Sequence, residues 1–297
     1  MSSLLTSDAR VWSLEEAFEY CRRLTTTHYE NFTVGSLLLP KAKRQHVSNL
    51  YSYARSVDDL GDEAEGNRED LLKEWEEDLD LCYEGTPHHP VMVALQETVR
   101  TFDIPKEPFL KLIKANRMDQ EVNRFPTFQD LLRYCDHSAN PCGRLFLYVF
   151  NYHDQERQRL ADYTCTALQL ANFWQDVTRD YKMGRIYLPL EDLEQFGYKE
   201  ADLAQGIFND SFRRLMAFEV DRTRRMFRQG LELVDRVKGV ARLDIALFSR
   251  GGLAVLDAIE KQDYNVLNRR PHLSRFQKGW LLFSTWVGMR LGRKPRA

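Results

Sequence analysis

Asn172, Asp176 and Asp180 recur at intervals of four in NFWQDVTRD, where most of the neighbouring residues are large and apolar. On a helix turning about 100° per residue, Asp176 lies about 40° and Asp180 about 80° round from Asn172, so the three form one polar stripe. Leu168, Leu170, Ala171, Phe173, Trp174 and Val177 cover most of the remaining circumference, which places this helix in an interior. Ionised carboxylates there are costly unless paired or bound to cations. A second acidic group, Asp58, Asp59 and Asp62, lies in SVDDLGDE. Asp58 and Asp62 fall within about 40° of each other, in a sector shared with Val47, Tyr51 and Ala54 and edged by Arg55. These two therefore face inward, while Asp59 and Glu63 lie further round.

Aspartates with an asparagine, and without histidine or cysteine, offer hard oxygen ligands. Such ligands suit Mg²⁺, which typically binds through one or two carboxylates plus substrate phosphate oxygens and water. The two stripes thus point to a shared cavity, to Mg²⁺ and to a diphosphate substrate. Two structural readings stay open: a solvated helix face for the first group, and a buried ion-pair network using Arg55, Arg179 or Arg185 for the second. A ferritin-like di-metal centre requires Glu-x-x-His motifs, and the chain has none. It also lacks a GxxxxGK[ST] loop, a GxSxG elbow and a GxGxxG fingerprint, so nucleotide-dependent phosphoryl transfer and serine hydrolysis have no support.

The elements that must position these residues are helices. Ser13 with Glu16 reads as a capping box, Pro40 opens a long segment to about Glu65, and Pro105 and the Thr127/Asp130 pair mark further starts. Helices are expected at roughly 154–182, 208–237, 241–262 and 274–290. The interruptions are short and no linker or internal repeat separates two halves, so one all-α domain over 1–297 is expected.

Composition allows this. With 43% hydrophobic and 12% aromatic residues the chain has material for a substantial core. Its 42 basic and 44 acidic residues nearly cancel, which gives no global reason to expect nucleic acid as a partner. The N-terminal stretch lacks the features of a signal peptide and no window is apolar for long enough to span a membrane, so a cytoplasmic location is expected. Five cysteines, without any CxxC pair, read as reduced and mostly buried thiols.

These residues resemble the squalene and phytoene synthases, head-to-head prenyl-diphosphate synthases with an all-α isoprenoid-synthase fold built around a central cavity. The likeness runs through HYENFTVGSLLLP, YARSVDDLGDE, YCDHSANPCGRL, QLANFWQDVTRDYKMGRIYLP and YNVLNRRPHLS. It implies that Asp58, Asp59 and Asp62, with Glu63 adjacent, form the first metal motif, and Asn172, Asp176 and Asp180 the second. Asp58, Asp62, Asp176 and Asp180 would then serve catalysis by promoting departure of the diphosphate, and a dry aromatic cavity would protect the resulting cation. Tyr51, Phe32, Phe146, Phe173 and Trp174 are candidate walls, Tyr51 also a catalytic candidate. Arg55, matching an arginine just before the family's first motif, and Arg185 and Tyr187, in its GRxYLP segment, are expected to bind the diphosphate, together with Asn31. Lys182, Arg179, Arg269 and Arg270 are further cationic candidates.

Two segments depart from the family pattern: Tyr29-Glu30-Asn31-Phe32 replaces Ser-x-Ser-Phe, and YCDHSANPCG replaces YC-x-x-VAG. The substituted pattern looks most like the hydroxysqualene synthase branch of bacterial hopanoid biosynthesis. That resemblance implies ionisation of presqualene diphosphate and capture of the cation by water, without NADPH. Asp136, His137 and Asn140 are candidates to position that water, His137 as a catalytic residue; a solvated turn at Asn140-Pro141 is the alternative. Condensation of two farnesyl diphosphates to presqualene diphosphate or squalene is the rival step, and a non-catalytic helical scaffold the rival class. The partners implied are an isoprenoid diphosphate and other squalene-pathway enzymes. The C-terminal RFQKGWLLFSTWVGMRLGRKPRA reads either as an interfacial helix touching the inner face of the membrane or as a docked core helix.

Overall fold

The computed structural model describes residues 11–27, 39–62 and 64–290. Asn31, Phe32, Glu63 and the basic tail beyond Arg290 lie outside the described residues. In chain order the helices are α1 (Leu14–Thr27), α2 (Lys41–Asp62), α3 (Arg68–Glu84), α4 (Pro90–Phe102), α5 (Glu107–Glu121), α6 (Phe128–Ser138), α7 (Asn140–Val149), α8 (Gln155–Lys182), α9 (Leu190–Phe196), α10 (Glu200–Ala204), α11 (Asp210–Gly230), α12 (Leu233–Arg236), α13 (Gly239–Lys261) and α14 (Arg275–Arg290). The all-α expectation holds; the β pairing among the described residues is one isolated parallel bridge, Arg124 to Ile186.

The expected helix starts are built as the sequence implies. Ser13 Oγ donates to Glu16 Oε2 at 2.8 Å, and the Glu16 amide donates back to Ser13 Oγ at 3.3 Å. Thr127 and Asp130 make the same reciprocal capping box at α6. The long helix expected over 208–237 ends instead at Gly230 and resumes as the single turn α12. Gly230 is where α11 meets α8: a Cβ there would stand 2.2 Å from Thr164 Oγ1.

Contacts group the chain into two compact units, a finer division than the one domain expected. The first comprises Met1–Glu121 and Pro141–Asp154, the second Val122–Asn140 and Gln155–Ala297. The core of the first gathers Tyr53, Leu72, Trp75, Leu79, Met92, Leu95 and Phe109, all essentially without exposure. Tyr53 sets its ring edge-on to Phe109 and donates its hydroxyl to the Phe109 carbonyl at 3.2 Å, so a large buried ring keeps its polar atom satisfied.

In the second unit α8 packs against α11 and α13. Trp174 is fully buried and donates Nε1–H to Thr223 Oγ1 on α11 at 2.8 Å. Gly252 of α13 lets Phe227 approach, since a Cβ would stand 2.2 Å from Phe227 Cζ. Three cysteines (Cys21, Cys82 and Cys135) are buried, Cys165 is half-buried and Cys142 on α7 is exposed; all are free thiols.

Candidate functional site

In the first unit the acidic group occupies the last turn and a half of α2. Asp59 pairs with the Arg55 guanidinium one turn earlier and is half-buried, whereas Asp58 and Asp62, expected to face inward, are both exposed; the arginine draws the third carboxylate toward the protein. Asp58 is exposed, with protein atoms packed closely round its carboxyl. That crowding, with Asp62 nearby, pushes its carboxyl up to about 6 against the opposing hydrogen bond from Asn116. Asn116 Nδ2 donates to Asp58 Oδ1 at 3.2 Å. Asp62 is exposed and Tyr51 half-buried, with the Tyr51 phenol held above its usual range chiefly by burial. Phe146, on α7, is half-buried and packs against Phe150 at 4.8 Å.

Asn116 and its neighbours were not expected from the sequence. Gly61 admits Asn116, because a Cβ at Gly61 would fall 2.2 Å from Asn116 Oδ1. Gln120, one turn on, donates to the Gly61 carbonyl at 2.9 Å. The only available signal was the spacing of two amide side chains four apart on α5, which nothing in a single sequence ties to α2.

The second stripe lies in the second unit at the end of α8. Asn172 is exposed, Asp176 buried and Asp180 half-buried. Arg270 takes Asp176 with two parallel bonds, Nε to Oδ1 at 2.5 Å and Nη2 to Oδ2 at 2.9 Å, the bidentate geometry that strengthens guanidinium–carboxylate pairs. The ion pair for this buried acid therefore comes from Arg270, not from Arg55, Arg179 or Arg185. Asp180 has no equivalent: its Oδ2 is buried without a hydrogen-bond partner among the described residues. Burial and the Asp176 charge push its carboxyl up to about 7, with Arg179, Arg185 and Arg270 pulling the other way.

Local chain geometry explains where Arg185 stands. Gly184 adopts φ +82 and ends α8: its amide donates to the Tyr181 carbonyl and the Arg185 amide to the Asp180 carbonyl, both at 2.9 Å. This is a Schellman turn, which wants glycine at the left-handed position. The chain then runs beside residues 123–125, with Ile186 N–H on the Asn123 carbonyl. Tyr187 thereby stacks on Phe173, ring centroids 3.7 Å apart, and on Phe125 at 5.6 Å. Asp180 and Arg185 line a small pocket with Phe173, Val177, Ile186, Tyr187 and Leu188. Trp174, a candidate wall in the sequence, is instead a core pillar facing α11.

The altered YCDHSANPCG segment makes a chain of polar groups. Thr166 Oγ1 donates to Asn140 Oδ1 at 2.8 Å, and Asn140 Nδ2 reaches Asp136 Oδ1 at 3.5 Å. Asn140 and Thr166 are buried. His137 is half-buried, with Nδ1 2.8 Å from the Arg133 carbonyl of its own helix. Thr166 was not singled out by sequence reading.

Among the described residues no three His, Cys, Asp or Glu side chains converge into a ready-made metal cage. Carboxylate pairs are what the two stripes supply, and pairs suit Mg²⁺, which completes its shell with phosphate oxygens and water. The unpartnered Asp180 Oδ2 and the like-charged neighbours of Asp58 and Asp180 fit an oxygen-liganded cation.

Helical units carrying aspartate stripes, one of them beside an arginine and an aromatic wall, are chemically suited to an anionic group with an apolar tail. Comparison with known proteins gives the family. The squalene/phytoene synthase family model matches residues 25–277, and the chain belongs to that family. It is 36% identical over 294 residues to a 15-cis-phytoene synthase of Synechocystis sp., covering 93% of this chain and 86% of that one. Among solved structures, squalene synthase HpnC from Alicyclobacillus acidocaldarius is 47% identical with a TM-score of 0.83, covering 85% of this chain and 96% of that one. A dehydrosqualene synthase in complex with ligand matches with a TM-score of 0.84 at 25% identity, covering 94% and 98%. The fold is that of the isoprenoid synthases, and the family's substrates are isoprenoid diphosphates.

Proposed function

We propose that this chain is a Mg²⁺-dependent enzyme of hopanoid biosynthesis that converts presqualene diphosphate to hydroxysqualene and diphosphate. The observation that carries the reading is the pocket where Asp180, with one carboxylate oxygen unpartnered, stands beside Arg185 and against the Phe173–Tyr187 stack. Charge for a departing diphosphate sits there next to a dry aromatic wall, and the 47% likeness to a squalene synthase HpnC favours this branch of the family.

Asp58, Asp59 and Asp62, and Asn172, Asp176 and Asp180, are the residues that would hold Mg²⁺, which when bound would supply neutralisation of the leaving diphosphate. Arg185 contributes a guanidinium to the diphosphate oxygens, and Arg55 and Asn31 are assigned to the same task. The carbon–oxygen bond to diphosphate breaks with both electrons leaving on oxygen; the cyclopropylcarbinyl cation rearranges and its ring opens, and a water oxygen bonds the resulting cation and gives up a proton to solvent. In composition the net change replaces diphosphate by hydroxyl on a rearranged skeleton, so no hydride is added and NADPH is not required. Asp136, His137 and Asn140, with Thr166 behind Asn140, position the water. Residues 1–297 work as one synthase domain, and the thirty-carbon product, insoluble in water, must leave to a lipid phase.

A second reading is condensation of two farnesyl diphosphates; the phytoene synthase relatives favour a condensing reaction, though they do not bear on the chain length of its substrate. A non-catalytic scaffold accounts poorly for the presence of every motif acid. Purified protein is offered farnesyl or presqualene diphosphate in heavy-oxygen water, with and without Mg²⁺ and NADPH. A labelled alcohol formed from presqualene diphosphate supports the hydrating reaction, whereas conversion of farnesyl diphosphate alone replaces it with condensation.

A further inference from the structure

Helix α14 packs on α13 through one face. Thr285 is buried and receives a hydrogen bond from Arg250 Nη1 at 2.5 Å, and Leu281 comes within 4.0 Å of the Cβ position of Gly251. Counting about 100° per residue from Leu281, the positions between about 140° and 260° are Trp286, Gly279, Arg290, Phe283, Phe276, Val287 and Trp280. The sector opposite the packed face is therefore mostly aromatic. Its large side chains stand in solvent: Phe276 is 82% exposed, Trp280 61%, Phe283 55% and Trp286 44%. Trp280 and Phe283 pair with ring centroids 6.0 Å apart, and the Arg290 guanidinium lies 5.1 Å over the Trp286 ring. On α13, Phe248 is exposed as well.

An apolar face this concentrated calls for an occupant, and charge selects it. Residues 275–297 carry Arg275, Lys278, Arg290, Arg293, Lys294 and Arg296 and no acidic residue. A second copy meeting this face would bring two wholly basic segments together, which opposes pairing. An anionic bilayer satisfies both features, since aromatic rings settle at the boundary between headgroups and acyl chains and basic residues meet the lipid charge. None of the described helices is long and apolar enough to cross a membrane, so the geometry is that of a helix lying on the surface.

We propose that the aromatic face of α14 seats this protein on anionic lipid bilayers. Full-length protein is sedimented with phosphatidylcholine vesicles with and without phosphatidylglycerol, and the emission of Trp280 and Trp286 is followed with brominated lipid as quencher. The expected result is binding to the phosphatidylglycerol vesicles, weakened by salt, with quenched and blue-shifted emission. Trp280→Ser combined with Phe283→Ser lowers the bound fraction about tenfold or more while leaving the melting temperature in place, because both side chains are already in solvent. Absence of binding to either vesicle, undiminished binding by the double variant, or a dimer in size-exclusion chromatography that the double variant dissolves would each overturn the proposal. Quenching in the unsubstituted protein decides the matter even if the variant fails to fold. Vesicle binding is read without turnover, so it stands or falls apart from the assigned chemistry.

Discussion

Asp176 and Asp180 share a helix and a stripe yet meet opposite surroundings. Asp176 has both oxygens bound by Arg270, whereas Asp180 Oδ2 is buried without a partner among the described residues. Removing the guanidinium leaves a buried carboxylate uncompensated, so Arg270→Ala is expected to destabilise the protein by about 1–3 kcal/mol in urea unfolding. Arg270→Lys recovers part of that loss, since one ammonium replaces a two-pronged contact. The helical period showed which face Asp176 occupies but not its partner, because Arg270 lies 94 residues away and a period carries no information about distant contacts. Asp244 poses the same problem without a solution: it is buried on α13, its Oδ1 lacks a hydrogen-bond partner among the described residues, and burial alone pushes it up to about 7. A carboxyl raised in the folded state holds a proton that the unfolded chain has released. Its contribution is therefore unfavourable increasingly from about pH 4 to pH 7 and constant above. Asp244→Asn should raise the unfolding free energy in urea clearly at pH 8, by up to about 4 kcal/mol, and little at pH 4; equal gains at both pH values would count against the raised carboxyl.

Elements were legible where their signals are local. The capping boxes at Ser13 and Thr127 and the span of α8 follow from neighbouring residues, and the structure builds them as the spacing implies. The break after Gly230 was not anticipated; the glycine itself answers to Thr164 of another helix, which leaves no room for a Cβ. The contact of α2 with α5 is of the same kind and bears on the site. Gly61 lets Asn116 reach Asp58, and Gln120 ties the same glycine's carbonyl to α5. An added methyl must push the Asn116 side chain away, because the clash reaches past its oxygen to Cγ at 2.9 Å and Cβ at 3.1 Å and turning the amide alone does not relieve it. Gly61→Ala is expected to cost about 1–3 kcal/mol of stability, as overpacked helix contacts do, and to lower turnover by loosening the Asn116 amide from Asp58. Urea unfolding and steady-state kinetics measure the two effects; full stability with full activity would show that the two helices accommodate the methyl.

At the scale of the whole molecule, the apolar period of the sequence was enough for an all-α class, but not for which acids of the first group face inward, since Asp58 and Asp62 are exposed and Asp59 is half-buried. The grouping of the chain into two compact units was not readable, because the first unit takes back residues 141–154 after the chain has left it and no linker marks the crossing. Both units are built on large apolar cores: Tyr53, Trp75 and Phe109 in one, Trp174, Phe212 and Phe227 in the other. Chelation is therefore expected to abolish turnover without lowering the melting temperature, unlike a structural metal site, whose binding energy is folding energy. Mg²⁺ alone should shift melting little, since the stripes offer pairs rather than a cage and the ion needs phosphate oxygens to complete its shell. Mg²⁺ with inorganic diphosphate supplies them, and at a hundredfold excess over the dissociation constant a ligand bound only by the folded state adds about 2.7 kcal/mol. Differential scanning calorimetry with EDTA, Mg²⁺, diphosphate and both together separates these cases. A full shift from Mg²⁺ alone would mean a metal cage completed by protein groups, and turnover persisting in EDTA would mean that the acidic stripes do their work without a metal.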